Sequence, residues 1–297
     1  MPATFTRKMK NILVTGATGH LGTAVLETLL KQMPPGNVAV LTRQKSKHRE
    51  FINRGIRSHI GSYDDPGSLD NAMQGIDTVL LISSGDQGDR MQEHRNVVDA
   101  ARKAAVKGIA YTGRCLSDRA SLSNQLMAEH FKTEDYIKAS GLPYTFFRNV
   151  LYMDAIPQFI GGPGALINGI KLPAGKGRVA FAIRTEMGEA VAKVLTREDC
   201  LGKTYNLTGS KAFSFYDIAA ALTKISGRDV IYTEVDTTEF EGMMKAKNIP
   251  GAAISKISAF IEDIRNNQES IVYPDLELIL SRQPASLETG LKALFNL

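Results

Sequence analysis

Three glycines set the first chemical constraint. Gly16, Gly19 and Gly22 follow Asn11-Ile12-Leu13-Val14-Thr15 at the spacing G-x-x-G-x-x-G. Leu21, Ala24, Val25, Thr28 and Leu29 then recur at helical spacing. The stretch Gly16-Ala17-Thr18-Gly19-His20-Leu21-Gly22 therefore predicts a tight turn between a strand and a helix. The N–H groups of such a turn, with the N-terminus of the helix, make a seat for a pyrophosphate. Gly16 permits the sharp turn, Gly19 lets phosphates approach the backbone, and Gly22 lets the helix pack close to the strand. The spacing is one residue longer than the commoner G-x-G-x-x-G, and a plain Gly-rich connection is the alternative. Its place near the N-terminus, between an apolar strand and an amphipathic helix, favours dinucleotide binding.

A second signal closes the next strand, Val38-Ala39-Val40-Leu41-Thr42. An acid usually stands there when the ligand is NAD, where it takes the adenosine ribose hydroxyls. Here Arg43 takes the place, and the first acid is Glu50. Arginine stacks on adenine and holds a 2′-phosphate, and Lys47, one helical turn on, can reach the same group. The expectation is NADPH rather than NADH, against a solvated basic helix start. Val79 to Ile82 form a continuous apolar strand that ends in Ser83-Ser84-Gly85, a turn small enough for sugars to lie against Ile82, Ser83 and Ser84. Asn149 and Tyr152 come just past the strand Pro143–Arg148. Ligands of open α/β sheets bind at the carboxyl ends of strands. Asn149 can donate to a substrate oxygen, and Tyr152 can stack on a flat ring. Their plain alternatives are a turn-stapling amide and a core tyrosine.

These residues need a sheet to hold them. Strands are expected at 11–15, 38–42, 57–60, 76–82, 109–113 and 143–148, with helices between them, including 90–107 and 123–140. That alternation predicts an α/β fold with a doubly wound parallel sheet of Rossmann type. After Asn149 the rhythm breaks. Residues 151–184 are rich in Gly, Pro, Ile and Phe without a clean period; helices are then expected at 185–196 and 213–226, strands at 203–208 and 230–234, and a capped terminal helix from Pro284. The expected division is a cofactor domain over 1–150, to which 185–212 returns, and a smaller irregular α/β lobe over 151–297, mainly 151–184 and 213–297.

Length and composition agree with this plan. The chain has 297 residues, a hydrophobic share of 43% and a net charge of +5, which suits one large domain or a domain with a lobe. No stretch is long and apolar enough to span a membrane, and no basic-aromatic pattern points to nucleic acid. Met1 to Lys10 lack an apolar core, and Cys115 and Cys200 are isolated, so a reducing cytoplasmic setting is the expectation. Asp64-Asp65 and Glu186-Glu189 read as solvated acids, and no metal site is expected.

The sequence resembles the atypical short-chain dehydrogenases of the NmrA-like group, and within it the NADPH-dependent quinone oxidoreductases and triphenylmethane dye reductases. The likeness lies in Val14 to Gly19, Gly61 to Leu69, Ile109-Ala110-Tyr111-Thr112-Gly113, Pro143 to Asn149, Lys203 to Leu207 and Arg282 to Leu287. It implies NADPH as cofactor, with Ser62, Tyr63 and Thr112 beside it; Ser62 stands where the group usually has Asp near the adenine. It implies a planar acceptor such as a quinone, in a monomer or homodimer. The alternative is a sensor that binds the dinucleotide without turnover. Typical short-chain dehydrogenases use Tyr-x-x-x-Lys, but none of the nine tyrosines has Lys four residues later. By the resemblance His130 falls near the place of that lysine, where it can bond the nicotinamide ribose or donate a proton. The alternative is a surface histidine paired with Glu134.

Overall fold

The computed structural model describes residues 10–85, 88–122 and 124–297. Short apolar runs form the central strands: β1 (Ile12–Val14), β2 (Val38–Thr42), β4 (Thr78–Ile82) and β5 (Gly108–Arg114). Helices cover both faces of such strands in parallel sheets, which is why these runs are apolar throughout rather than alternating. β3 (Arg57–Ile60), β6 (Tyr144–Asn149) and β9 (Lys203–Leu207) complete a seven-stranded sheet in the order β3-β2-β1-β4-β5-β6-β9. The β1–β2, β1–β4, β2–β3 and β4–β5 pairs are parallel, with Leu13 opposite Ala39 on one side and Val79 on the other. The order reverses between β1 and β4, and that is where open α/β sheets leave a crevice at their carboxyl edge.

Local sequence fixes where the helices start. α1 (His20–Leu30) buries Leu21, Val25, Leu26 and Leu29 along one face. α2 (Lys45–Asn53) follows β2. α3 (Pro66–Ala72) has Asp65 as N-cap, accepting from Ser68 N–H at 3.1 Å, with Pro66 in its first turn. α4 (Arg90–Lys103) is capped by Asp89, which accepts from Gln92 N–H at 3.0 Å. α5 (Gln125–Ala139) precedes β6. One core cluster joins Leu13, Leu41, Leu69, Val79, Val97, Ile109, Tyr111 and Phe146, all buried.

The rest of the chain is built from shorter pieces: α6 (Ile156–Ile160), α7 (Ala165–Asn168), β7 (Ile170–Leu172), β8 (Arg178–Val179) and α8 (Arg184–Leu195). Beyond β9 come β10 (Phe213–Ser214), α9 (Phe215–Ser226), β11 (Tyr232–Glu234), α10 (Thr237–Ala246), α11 (Gly251–Arg265), α12 (Asp275–Leu280) and α13 (Leu287–Phe295). β8 pairs with β10 and β7 with β11, each as a two-stranded sheet. Ser214 and Asp217 form a reciprocal capping box at the start of α9, and Gly227 closes it at φ +68°.

The chain divides into two compact, interleaved units. One holds residues 1–113, 132–147 and 188–204; the other holds 114–131, 148–187 and 205–297.

Candidate cofactor and acceptor residues

The first unit carries a cleft of about 350 Å³ at the carboxyl ends of β1 to β4. Its floor is the glycine turn. Gly16 sits at φ +65°, its carbonyl accepts from Gly19 N–H at 3.0 Å, and Gly19 is the N-cap of α1. No side chain caps that helix. Its first N–H groups are therefore left available as anion donors. A Cβ on Gly19 would meet only Gly16 O, at 3.4 Å, so the space above this residue belongs to the cleft. A Cβ on Gly22 would lie 2.2 Å from Gly16 O and 2.8 Å from Ala17 Cα. Gly22 thus presses the helix onto the turn itself rather than onto the strand.

The walls come from strand ends. Gly16, Thr18, Gly19, Arg43, Ser62, Tyr63, Ile82, Ser83 and Ser84 line the cleft. Arg43 is exposed there and has no carboxylate partner among the described residues. Lys47 is not in the lining; its Nζ pairs with Glu50 at 2.8 Å. Ala17, His20, Leu21, Gly22 and Thr112 also stay out of the lining. Thr112 acts from behind, its buried Oγ1 accepting from Ser83 N–H at 3.0 Å.

The turn after β4 is held by side chains at each residue. Ile82 N–H donates to Thr15 Oγ1 at 3.2 Å, and Ile82 O accepts from Tyr63 Oη at 2.9 Å. Burial raises the Tyr63 hydroxyl well above the usual tyrosine range, so it serves as a fixed donor and not as an acid. Ser84 N–H donates to His94 Nε2 at 3.0 Å, while His94 Nδ1 lies 2.9 Å from Thr133 Oγ1. Because the Ser84 amide can only donate, Nε2 must be bare and Nδ1 must carry the proton. Burial pushes His94 down to about 3, in agreement with a permanently neutral ring.

Sequence reasoning missed several lining residues: Leu41, Thr42, Gly61, Asp64, Gly85, Gly88 and Glu93. Leu41 and Thr42 end a strand already placed, and Gly61 begins the Gly61–Leu69 stretch, so their position was the available signal. Glu93 and the supporting His94 lie in the first turns of α4, and nothing in their own residue types marks them.

In the second unit, Asn149 ends β6 and is 1% exposed. Its Nδ2 donates to Tyr152 Oη at 3.1 Å, and its Oδ1 is buried without a partner among the described residues. Tyr152 is half-buried, and the Arg184 guanidinium lies over its ring at 4.3 Å from the centroid. One face of the ring is thus already covered by a cation that the sequence gave no reason to expect. His130 is 4% exposed in α5, so it is not the surface histidine of the alternative reading; Glu134 is buried too. Burial raises the Cys115 thiol to about 12, so it carries no thiolate near neutral pH. No cluster of three or more metal-ligating side chains occurs among the described residues, and no helix there is long and apolar enough to cross a membrane.

A glycine turn at the switch point of a parallel sheet, with a cleft above it, defines a dinucleotide-binding protein of Rossmann type. The chain belongs to the NmrA-like family, whose model matches residues 8–288. Quinone oxidoreductase 2 of Escherichia coli is 37% identical over 240 residues, covering 80% of this chain and 82% of the relative. The triphenylmethane reductase of Citrobacter sp., solved with NADP(H), superposes with a TM-score of 0.87 at 32% identity, over 96% of this chain and 100% of that one. The NADPH-dependent quinone oxidoreductase of E. coli, solved with NADPH, gives 0.88 at 31% identity, again over 96% and 100%.

Proposed function

We propose that the protein is an NADPH-dependent reductase acting on quinones or related planar conjugated acceptors. The observation that carries this reading is Arg43, a guanidinium without a carboxylate partner among the described residues, at the end of β2 on the rim of the cleft. The group that suits it is the 2′-phosphate. The glycine turn and the uncapped start of α1 suit the pyrophosphate, and the Ile82–Ser84 backbone suits the sugars. The two relatives solved with NADP(H) support the same cofactor. Arg43→Ala is expected to weaken NADPH by roughly ten- to a hundredfold, the worth of a charge-assisted bond, and NADH far less. Titrations of both nucleotides check this; equal weakening would mean that Arg43 only stacks on adenine.

NADPH, when bound, supplies a hydride. The chain's part is to hold the acceptor and settle the charge that results. Hydride addition to a simple ketone builds a strongly basic alkoxide, which needs a proton donor in the transition state. No tyrosine here has the lysine four residues on that such a donor uses. A quinone instead becomes an aryl oxide with its charge spread over a ring. Water can finish its protonation, so quinone, NADPH and a proton give hydroquinone and NADP⁺.

Asn149, Tyr152 and His130 are the residues proposed to meet the acceptor and the nicotinamide end. In the orientation shown, the unpartnered Asn149 Oδ1 accepts from a ligand N–H or O–H. With the amide turned over, Tyr152 Oη donates to Oδ1 and leaves Nδ2 for the acceptor oxygen. The Arg184 charge over Tyr152 favours an acceptor that turns anionic. Steady-state rates with a benzoquinone, a naphthoquinone and an alkyl ketone test the acceptor. The quinones are expected to turn over and the ketone scarcely; a faster ketone would refute the argument from the missing acid.

A further inference from the structure

The cofactor cleft contains a carboxylate that phosphate binding does not explain. Glu93 lies in the first turn of α4 and lines the cleft. Its Oε2 is buried and has no hydrogen-bond partner among the described residues. The other lining acid among the described residues, Asp64, is exposed and solvated. Gly88 keeps the space beside Glu93 open: a Cβ at that position would lie 2.9 Å from Glu93 Oε1. Two neighbouring side chains of the cleft already have partners: Tyr63 Oη lies on Thr15 and Ile82, and Thr42 Oγ1 accepts from Gln44 N–H. A carboxylate oxygen withdrawn from water without a donor is costly, and a ligand donor relieves that cost.

The sign of the charge says what kind of donor. A carboxylate repels phosphate, so the part of the dinucleotide at Glu93 is not phosphate. The glycine turn and α1 take the pyrophosphate, and Arg43 takes the 2′-phosphate, in the reading proposed above. With the sugars on the Ile82–Ser84 backbone and the nicotinamide end directed to other residues in that reading, what remains for the wall formed by Ser62, Tyr63, Gly85, Gly88 and Glu93 is the purine. Its donor edge is the 6-amino group, and an acceptor-only side chain matches it.

Resting on that cofactor reading, we propose that Glu93 is the residue that reads the adenine base, accepting a hydrogen bond from its 6-amino group. The proposal makes Glu93 a specificity-determining residue for the nucleobase, independent of the hydride chemistry.

The test is equilibrium binding, by calorimetry, of NADPH and of its 6-deamino analogue, which carries hypoxanthine in place of adenine. The analogue presents an oxygen where the amino group was, so it meets the carboxylate acceptor to acceptor. The unaltered protein is expected to bind NADPH at least about tenfold more tightly than the analogue, as for the loss of a bond to a charged partner. Glu93→Gln can donate its amide to the hypoxanthine oxygen, so the preference is expected to collapse toward unity or invert. Equal binding of both nucleotides by the unaltered protein would overturn the proposal while leaving the cofactor reading standing. So would an undiminished preference in Glu93→Gln. Binding of neither nucleotide would overturn the cofactor reading and the proposal with it.

Discussion

Gly22→Ala is expected to lose NADPH binding and to lower the stability of the protein by about 3 kcal/mol, the upper end of what overpacking costs. The added methyl would sit 2.2 Å from Gly16 O and 2.8 Å from Ala17 Cα. Both are backbone atoms, so no side chain can turn aside, and α1 must lift off the turn that orients its N–H groups. Gly19→Ala is the matched control. Its methyl meets only Gly16 O at 3.4 Å, and Gly19 has φ −78°, which alanine adopts freely. This variant should keep its melting temperature and still bind NADPH poorly, because the methyl occupies the space above the turn. Thermal melts with nucleotide titrations separate the two. A Gly22→Ala protein as stable as the unaltered one, with intact affinity, would show that the turn is not the tightly packed seat described.

Arg114→Met is expected to cost about 3–5 kcal/mol, the range for stranding one member of a buried ion pair. Arg114 and Glu269 pair in the interior of the second unit, 8% and 3% exposed. They also grip the segment between Asn149 and Tyr152: Glu269 accepts from Leu151 N–H, and Arg114 donates toward Val150 O. Burial raises the Glu269 carboxyl while Arg114 opposes the rise. Without Arg114 the folded-state value climbs further above that of the unfolded chain. The folded protein then binds the extra proton, so the deficit should grow with rising pH, smaller at about pH 5 than at about pH 8. Arg114→Met with Glu269→Gln removes both charges and keeps an acceptor for Leu151 N–H, and should recover most of the loss. Denaturant melts across pH check this; a deficit that shrinks with rising pH, or a double variant worse than the single one, would contradict it.

Much of this was legible in the sequence because the signals were local. β2 and β3 fall at 38–42 and 57–60 as expected, and β1, β4, β5, β6 and β9 shift only by one or two residues at their ends. Central parallel strands declare themselves as short apolar runs between turn residues. The glycine turn could be read because each glycine answers to a separate steric demand. What could not be read depends on contacts across the chain. Arg184 meets Tyr152 from another element. His94 acts through Ser84, ten residues earlier, and Thr112 through Ser83, from the neighbouring strand. Lys47 stands at the right spacing for the phosphate, yet it pairs with Glu50 because that acid lies one helical turn away. The irregular region 151–184 hid β7 and β8, whose strand partners β11 and β10 lie far along the chain.

The proposed hydride transfer from NADPH to a quinone is tested most directly by a single turnover. Purified protein is mixed anaerobically with NADPH and one equivalent of a naphthoquinone, without added flavin, and the nicotinamide absorbance is followed. The account predicts loss of one NADPH per quinone, with hydroquinone as product. It also predicts that deuterium on one face of the nicotinamide C4 slows the step while deuterium on the other face does not. NADPH that binds yet keeps its absorbance with every quinone tried would contradict the account and make the protein a dinucleotide sensor.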